Sequence, residues 1–404
     1  MSETVVLTAA RWWDGSSDRT RPHARVLVRD GHIARAHVRG TAPGVRTVDL
    51  GDRTLLPGLI DCHIHLSEAP PTELADTVSG RTLAALRPLR LLLQAGFTSA
   101  RDLGSTAEEP LTVHLRNAQK AGLIEGPRLF VAPHLISARA GHGDRSTLSV
   151  PHGSAEVGAL ADGVGEIVRR VRVDARYGAD WIKFAATGGL TSPSDDPGHS
   201  SYTEHEVRAL VAAADDLGLP CATHAFSDEG IRRAVGAGVR SVEHACLASP
   251  ETLDLIAERG IHLVPTLYAA ELFLGKLDDD AFRTAGEQRI REKLVRHRAT
   301  MRGHGGRVAA GRARIAFGTD AGVFPHADNW REFPAMTSAG LSPHRALLAA
   351  TSTAADLLRR PDLGRIADGA TADLVAVPAD PFHDIEALHH VDFVMQGGTV
   401  HRSP

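Results

Sequence analysis

Between residues 57 and 358 the chain repeats one pattern. A short apolar run comes first, then an Ala-, Leu- and Arg-rich amphipathic segment of roughly helical length, the signature of successive βα units. The runs are 59–65 (LIDCHIH), 97–103 (FTSARDL), 128–136 (RLFVAPHLI), 180–186 (DWIKFAA), 220–225 (PCATHA), 240–245 (RSVEHA), 261–267 (IHLVPTL) and 314–319 (RIAFGT). Helical stretches separate most of them, such as 203–218 and 227–238. The first opens on Thr203 with Glu206 three residues on, the spacing of a capping box. Eight such units predict a closed (β/α)8 TIM barrel, whose reactive groups gather at the C-terminal ends of the strands.

The chain ends have another texture. "ETVVLTAARWWDG", "ARVLVRDGHIARAHV" and, near the C-terminus, "GATADLVAVPAD" and "VDFVMQGGTVHR" alternate β-branched residues with Gly-containing turns. The predicted class is therefore α/β. Segments 1–56 and 359–404 pair into a small β-sandwich domain, and 57–358 forms the barrel.

Composition narrows the partners. At 43% hydrophobic and 23% charged, with a formal net charge of −4, the 404-residue chain reads as an ordinary soluble protein. No basic block points to nucleic acid. No run of about 18 apolar residues points to a membrane. No secretory leader is visible at "MSETVVLTAARWW". Cys62, Cys221 and Cys246 are too few for a disulfide framework and read as small core residues, which suits a reducing cytoplasm. Histidine is abundant, at 22, and only four of the 45 basic residues are lysine.

Those residue types fall in telling places. His63 and His65 end the first run, two apart and so on one strand face. Lys183 lies in the fourth, His224 ends the fifth, His244 the sixth, and Asp320 follows the eighth. Neutral imidazole and carboxylate are normal ligands for zinc, manganese or iron. A buried lysine has a lowered pKa and can sit as the free amine. Such an amine can capture carbon dioxide as a carbamate, whose two oxygens can bridge two cations. Two divalent metal ions would then take His63, His65 and Asp320 on one side, and His224 and His244 on the other.

"PGLIDCHIHL", "WIKFAATGG", "THA…EGIRRAVGAGVRSVEHA", "GTDAG" and "GRIADGATADLVAV" together resemble the amidohydrolase superfamily, in its imidazolonepropionase-like and Xaa-Pro dipeptidase-like branch. The resemblance runs nearly the whole chain. It implies a barrel with a flanking β-sandwich and a dinuclear centre, zinc first, with iron or manganese as alternatives. It puts His63 and His65 on the more buried metal, a carboxylated Lys183 as the bridge, and His224 and His244 on the second metal. Asp320 would ligate and also shuttle the proton.

The reaction expected is hydrolysis of an amide C–N bond in a small molecule, dipeptide-like or N-acyl amino acid-like, by a hydroxide shared between the metals. His142, in "ARAGHGD", is the candidate for steadying the carbonyl oxygen or a substrate carboxylate. Phe226 stands where the dipeptidase-like branch often has a tyrosine, and a phenyl ring cannot donate a hydrogen bond. Trp330 stands where similar proteins tend to have a small residue, and it could wall the pocket against an apolar ligand. Arg139 and Arg331 are the cations nearest these loops. Two alternatives keep the same scaffold: a di-iron oxygenase acting on an apolar molecule in natural-product metabolism, and a non-catalytic relative. Proteins of this kind are commonly dimers, so a homo-oligomer is compatible with the sequence.

Overall fold

The computed structural model describes residues 4–38, 40, 44–67, 77–105, 109–144, 159–192, 194–277 and 285–404. The repeated units form one curled parallel sheet. Its strands are Leu59–Ile64, Phe97–Ser105, Arg128–Ser137, Ile182–Ala185, Cys221–Ala225, Ser241–His244, His262–Val264 and Arg314–Ile315. They lie side by side in chain order, with the short strand Ala159–Leu160 added beside the third.

The curl closes where the last unit meets the first. Cys62 N donates to Phe317 O, Asp320 N to His63 O and His65 N to Ala321 O, each at 2.8 Å. Gly318 makes this seam feasible. A Cβ there would lie 2.3 Å from Val264 and 2.8 Å from His63, so a larger residue would push the two edges apart. The regular ladder of the eighth strand is shorter than the apolar run 314–319. Beyond it the chain bonds across the seam and then turns at Asp320, where φ is 63°.

The helices form as their sequences dictate. Thr203 caps Glu204–Asp215, and both bonds of the capping box with Glu206 are present. Asp228–Ala237 ends on Gly238 at φ 94°, a left-handed cap that suits glycine. Their apolar faces, including Leu210, Ile231 and Val235, join the core outside the sheet. A second cluster fills the barrel floor: Ile60, Cys62, Trp181, Ala222, Val264 and Ala316 pack on Leu357 and Leu363. Complete burial of one such aliphatic side chain contributes about 1.5–3 kcal/mol. The floor therefore anchors the strand stems while their upper ends carry polar groups.

The two chain ends meet as the sequence texture implied. Thr54–Pro57 pairs antiparallel with Leu374–Val377, joining N- and C-terminal strands in one mixed sheet of eight. That sheet has its own core around Leu7, Val26, Ile33, Leu55, Leu374 and Phe393. All three cysteines are buried and free. Among the described residues no helix is long and apolar enough to cross a membrane.

Candidate metal centre

At the C-terminal ends of the strands, His63, His65 and Asp320 bring ligand atoms within 4.8 Å of one another, a grouping that could hold a metal ion. Asp320 Oδ1 lies 3.3 Å from Nε2 of each histidine. His244 stands beside them, its ring centroid 4.9 Å from that of His63 and 4.7 Å from that of His224.

Each imidazole is aimed by its other nitrogen. His65 Nδ1 is 2.9 Å from Gly104 O, an oxygen that can only accept, so Nδ1 carries the proton and Nε2 the lone pair. His63 Nδ1 donates likewise to Glu243 at 2.9 Å. His244 Nδ1 pairs with Thr266 Oγ1 at 2.8 Å. His224 is reversed: Nε2 donates to Gly188 O at 3.2 Å, leaving Nδ1 as the ligand atom. Fixing the tautomer in this way is what a metal-binding histidine requires.

Burial and charge set the protonation states. Burial lowers both His224 and His244 well below the usual imidazole range, and the neighbouring histidines and Lys183 add to this. Burial would raise Asp320, but His63 and His65 beside it hold its carboxyl well below the usual range. Burial lowers Lys183 to about 8. Its Nζ is buried and has no hydrogen-bond partner among the described residues, as is also true of His63 Nε2. An orphaned buried polar atom costs about 1–3 kcal/mol. The lone pair on His63 Nε2 fits a bound cation, which would satisfy it, whereas the Lys183 amine needs an acceptor.

Backbone conformation explains a further detail. Glu243 and His244 are consecutive, yet both side chains meet His63. Neighbours in a regular strand point to opposite faces. His244 escapes this because its φ is 71°, in the left-handed region. Asp320 shares that conformation, which is costly for residues other than glycine and concentrates at functional sites.

Several supporting residues were not among those singled out from the sequence. Glu243 is fully buried and is met by Arg101 at 2.9 Å, with Arg101 itself stacked over Trp181. Burial would raise the Glu243 carboxyl, but Arg101 and the His63 hydrogen bond hold it well below the usual range. Asp61 accepts from His63 N, Thr319 and Asn329, tying the first strand to the loop that bears Asp320. Burial still leaves its carboxyl raised to about 7. Glu332 accepts from Leu267 N and Tyr268 N at 2.8 Å, fixing the start of the helix Leu267–Gly275 just after Thr266. Glu243, Arg101 and Asp61 carried the same signal as Lys183, a charge inside an apolar strand.

The centre forms the floor of a cavity of about 430 Å³. Its walls are mainly apolar, with Leu190, Phe226, Ala270, Phe273, Ile290 and Met301 prominent. Phe226 packs on His224 and His244, with ring centroids 4.8 and 5.4 Å away. His142 lines the cavity and stacks on His224 at 4.0 Å. Three sequence candidates lie off its wall. Trp330 instead stacks on His389 at 4.0 Å, against the C-terminal segment. Arg139 pairs with Asp162 and Glu166 at 2.7 and 3.0 Å. Arg331 pairs with Asp328 and lies over the Trp330 ring. In each case a partner close by satisfies the side chain away from the cavity.

Comparison with known proteins agrees with this geometry. A sequence model described as the amidohydrolase family matches residues 54–402. Ochratoxinase from Aspergillus niger is 30% identical over 380 residues, covering 87% of this chain and 76% of that protein. Imidazolonepropionase from Salinispora tropica is 25% identical over 392 residues, covering 89% and 86%. The crystal structure of a Xaa-Pro dipeptidase with methionine bound in its active site superposes with a TM-score of 0.92 at 31% identity, over 99% of this chain and 100% of that one. A match that begins at the first barrel strand's approach and ends in the last strand of the mixed sheet takes in every residue of the centre, and the chain belongs to the amidohydrolase family, in its Xaa-Pro dipeptidase-like and imidazolonepropionase-like branch.

Proposed function

We propose that the chain is a dinuclear metal-dependent hydrolase that cleaves the amide bond of a small dipeptide-like or N-acyl amino acid-like molecule. The observation that carries this reading is Lys183, a buried amine beside oriented imidazoles and without a hydrogen-bond partner among the described residues. His63, His65 and Asp320 would hold one ion and His224 and His244 the other, with a carbamate on Lys183 shared between them. When bound, two zinc ions would supply Lewis acidity and a water acidified into the working range.

The chain's own groups do the rest. Asp320 is held ionised, so at neutral pH it can take a proton at a carboxylate oxygen and return it to the departing nitrogen. The apolar wall around Phe226 would accommodate a hydrophobic substituent of the substrate. Residues 57–358 carry this chemistry, framed by 1–56 and 359–404. The relatives named ochratoxinase and Xaa-Pro dipeptidase support a small-molecule substrate.

The test is metal analysis of the purified protein together with amine release from N-acyl amino acids and dipeptides. Zinc at two per chain with hydrolysis is expected. Iron with oxygen consumption would replace this reading with the oxygenase, and a protein that binds no metal would end it.

A further inference from the structure

One wall of the cavity is a helix held largely by charge. Ala285–Arg302 supplies Ile290 and Met301 to the lining. Of its described side chains only Lys293, Leu294 and Met301 are buried, and Val295 is exposed. An amphipathic helix ordinarily buries three or four apolar residues in every two turns, so two in an 18-residue helix make a thin anchor. Leu294 and Met301 pack with Leu190, Phe226 and Ala270 in a small cluster apart from the main core.

Polar contacts supply the rest. Lys293, Arg296 and His297 stand at i, i+3 and i+4 and so share one helix face. They meet two consecutive carboxylates on the rim after the fourth strand. Lys293 Nζ donates to Asp195 Oδ1 at 2.8 Å, and also to Gly189 O at 2.8 Å and Ser192 O at 2.7 Å. Arg296 Nη1 donates to Asp196 Oδ2, and His297 Nε2 lies 3.1 Å from Asp196 Oδ1. The Lys293 and Asp195 side chains are only 7% and 8% exposed, so salt screens their attraction little. Burial would raise the Asp196 carboxyl, but Gly198 N–H, His297 and Arg296 hold it below the usual range. The rim is itself pinned. Gly189 N donates to Asp195 Oδ2 at 2.9 Å and Gly188 N to His199 O at 3.0 Å, and a Cβ on Gly188 would lie 2.3 Å from Asp196 O. Both carboxylates therefore stand at fixed places, and the helix docks where its three basic residues meet them.

That docking sets the room left for a substrate. Leu190 and Thr191 of the same rim line the cavity together with Ile290 and Met301 of the helix. The charged contacts at 293, 296 and 297 lie between those two lining residues, so they fix how far both stand from the rim. Resting on the hydrolase reading above, we infer that the pairing of Lys293, Arg296 and His297 with Asp195 and Asp196 is a specificity device, which positions Ile290 and Met301 so that the enzyme prefers amides bearing an aromatic or long aliphatic substituent over amides bearing a small one. A benzoyl or phenylalanyl group can bury its surface against this wall. An acetyl or glycyl group leaves the wall unmet and forfeits that burial.

The experiment uses full-length, metal-loaded protein and two amides, N-benzoylphenylalanine and N-acetylglycine. The wild type is expected to show the higher kcat/KM on the first. Lys293→Met and Asp196→Asn should raise KM about ten-fold more for the benzoyl than for the acetyl compound, with the ratio of the two kcat values kept, because a wall binds substrate and transition state alike. Calorimetry with N-benzenesulfonylphenylalanine, whose sulfonamide resists hydrolysis, should show affinity weakened by the same factor. A wild type without preference for the benzoyl compound overturns the inference, as does an equal rise in KM for both substrates. Should Lys293→Met fail to fold, Asp196→Asn, at the more exposed of the two pairings, decides. If the wild type hydrolyses neither amide, the hydrolase reading fails, while the sulfonamide still tests the wall: equal affinity in wild type and Asp196→Asn, or no binding to either, overturns it.

Discussion

The two halves of the centre are held by different physics. His63, His65 and Asp320 rest on buried charge and on the barrel seam: Glu243 with Arg101 behind His63, and Asp61 behind the Asp320 loop. His224 and His244 rest on neutral partners, a carbonyl at Gly188 and a hydroxyl at Thr266, and pack on Phe226. Breaking a buried ion pair leaves a charge stranded and costs about 3–5 kcal/mol, whereas losing a neutral hydrogen bond costs about 1 kcal/mol. One half is therefore rigid and intolerant of change. The other can be altered at smaller cost, and it is the half that faces the apolar wall.

The largest expected effect is at the residue belonging to the rigid half and to the chemistry. Asp320→Asn should lower kcat by about 10²–10⁴-fold while the thermal transition stays cooperative; an active variant would remove the proton-shuttling role. Lys183→Ala should come next, losing shared metal and activity together, with added acetate or formate restoring both. Metal titration with and without the acid checks this.

Glu243→Gln and Thr266→Val test the contrast directly. The first should weaken metal binding about 10–100-fold and destabilise the fold by up to about 3–5 kcal/mol, because Arg101 loses its counter-charge. On the proposed two-metal reading, the second should weaken binding at His224 and His244 by about ten-fold or less, with stability changed by about 1 kcal/mol. Equal losses in both variants would erase the distinction between the halves.

A last effect lies at the far end of the barrel, away from the candidate metal ligands. Burial, aided by Arg314 and Arg240, lowers His262 to about 4. The folded ring stays neutral where the unfolded chain, titrating near about 6.5, takes a proton. Its contribution to stability is full above that value and is lost as pH falls toward 4, by up to about 3 kcal/mol in all. Denaturant midpoints at pH 7 and 4.5 should therefore diverge less in His262→Gln than in wild type, with metal content at pH 7 unaltered.

The sequence was most legible where periodicity and chemistry coincided. Eight apolar runs give eight strands, and the six polar residues at their ends share one cavity floor. Legibility failed where a side chain's role depends on a distant partner. Trp330 looks like a pocket wall until His389, in the C-terminal segment, takes its ring. Arg139 sits three residues before His142 but turns to Asp162 and Glu166. Lys293 is one of four lysines in a chain rich in arginine, and was not singled out from the sequence. Only the fold shows that the loop 188–195 needs a buried ammonium there.

The seam at His63 and Asp320 also governs when the protein can first become active during its synthesis. His63 and His65 leave the ribosome about 250 residues before Asp320 does. Until the eighth unit docks, they lack their carboxylate, and the edge of the first strand lacks the bonds from Phe317 to Ala321. Metal captured at this trio would therefore mark a chain whose barrel has closed. A chain ending before residue 314 should hold zinc poorly, and one extending past Leu363, which completes the barrel floor, should take it up.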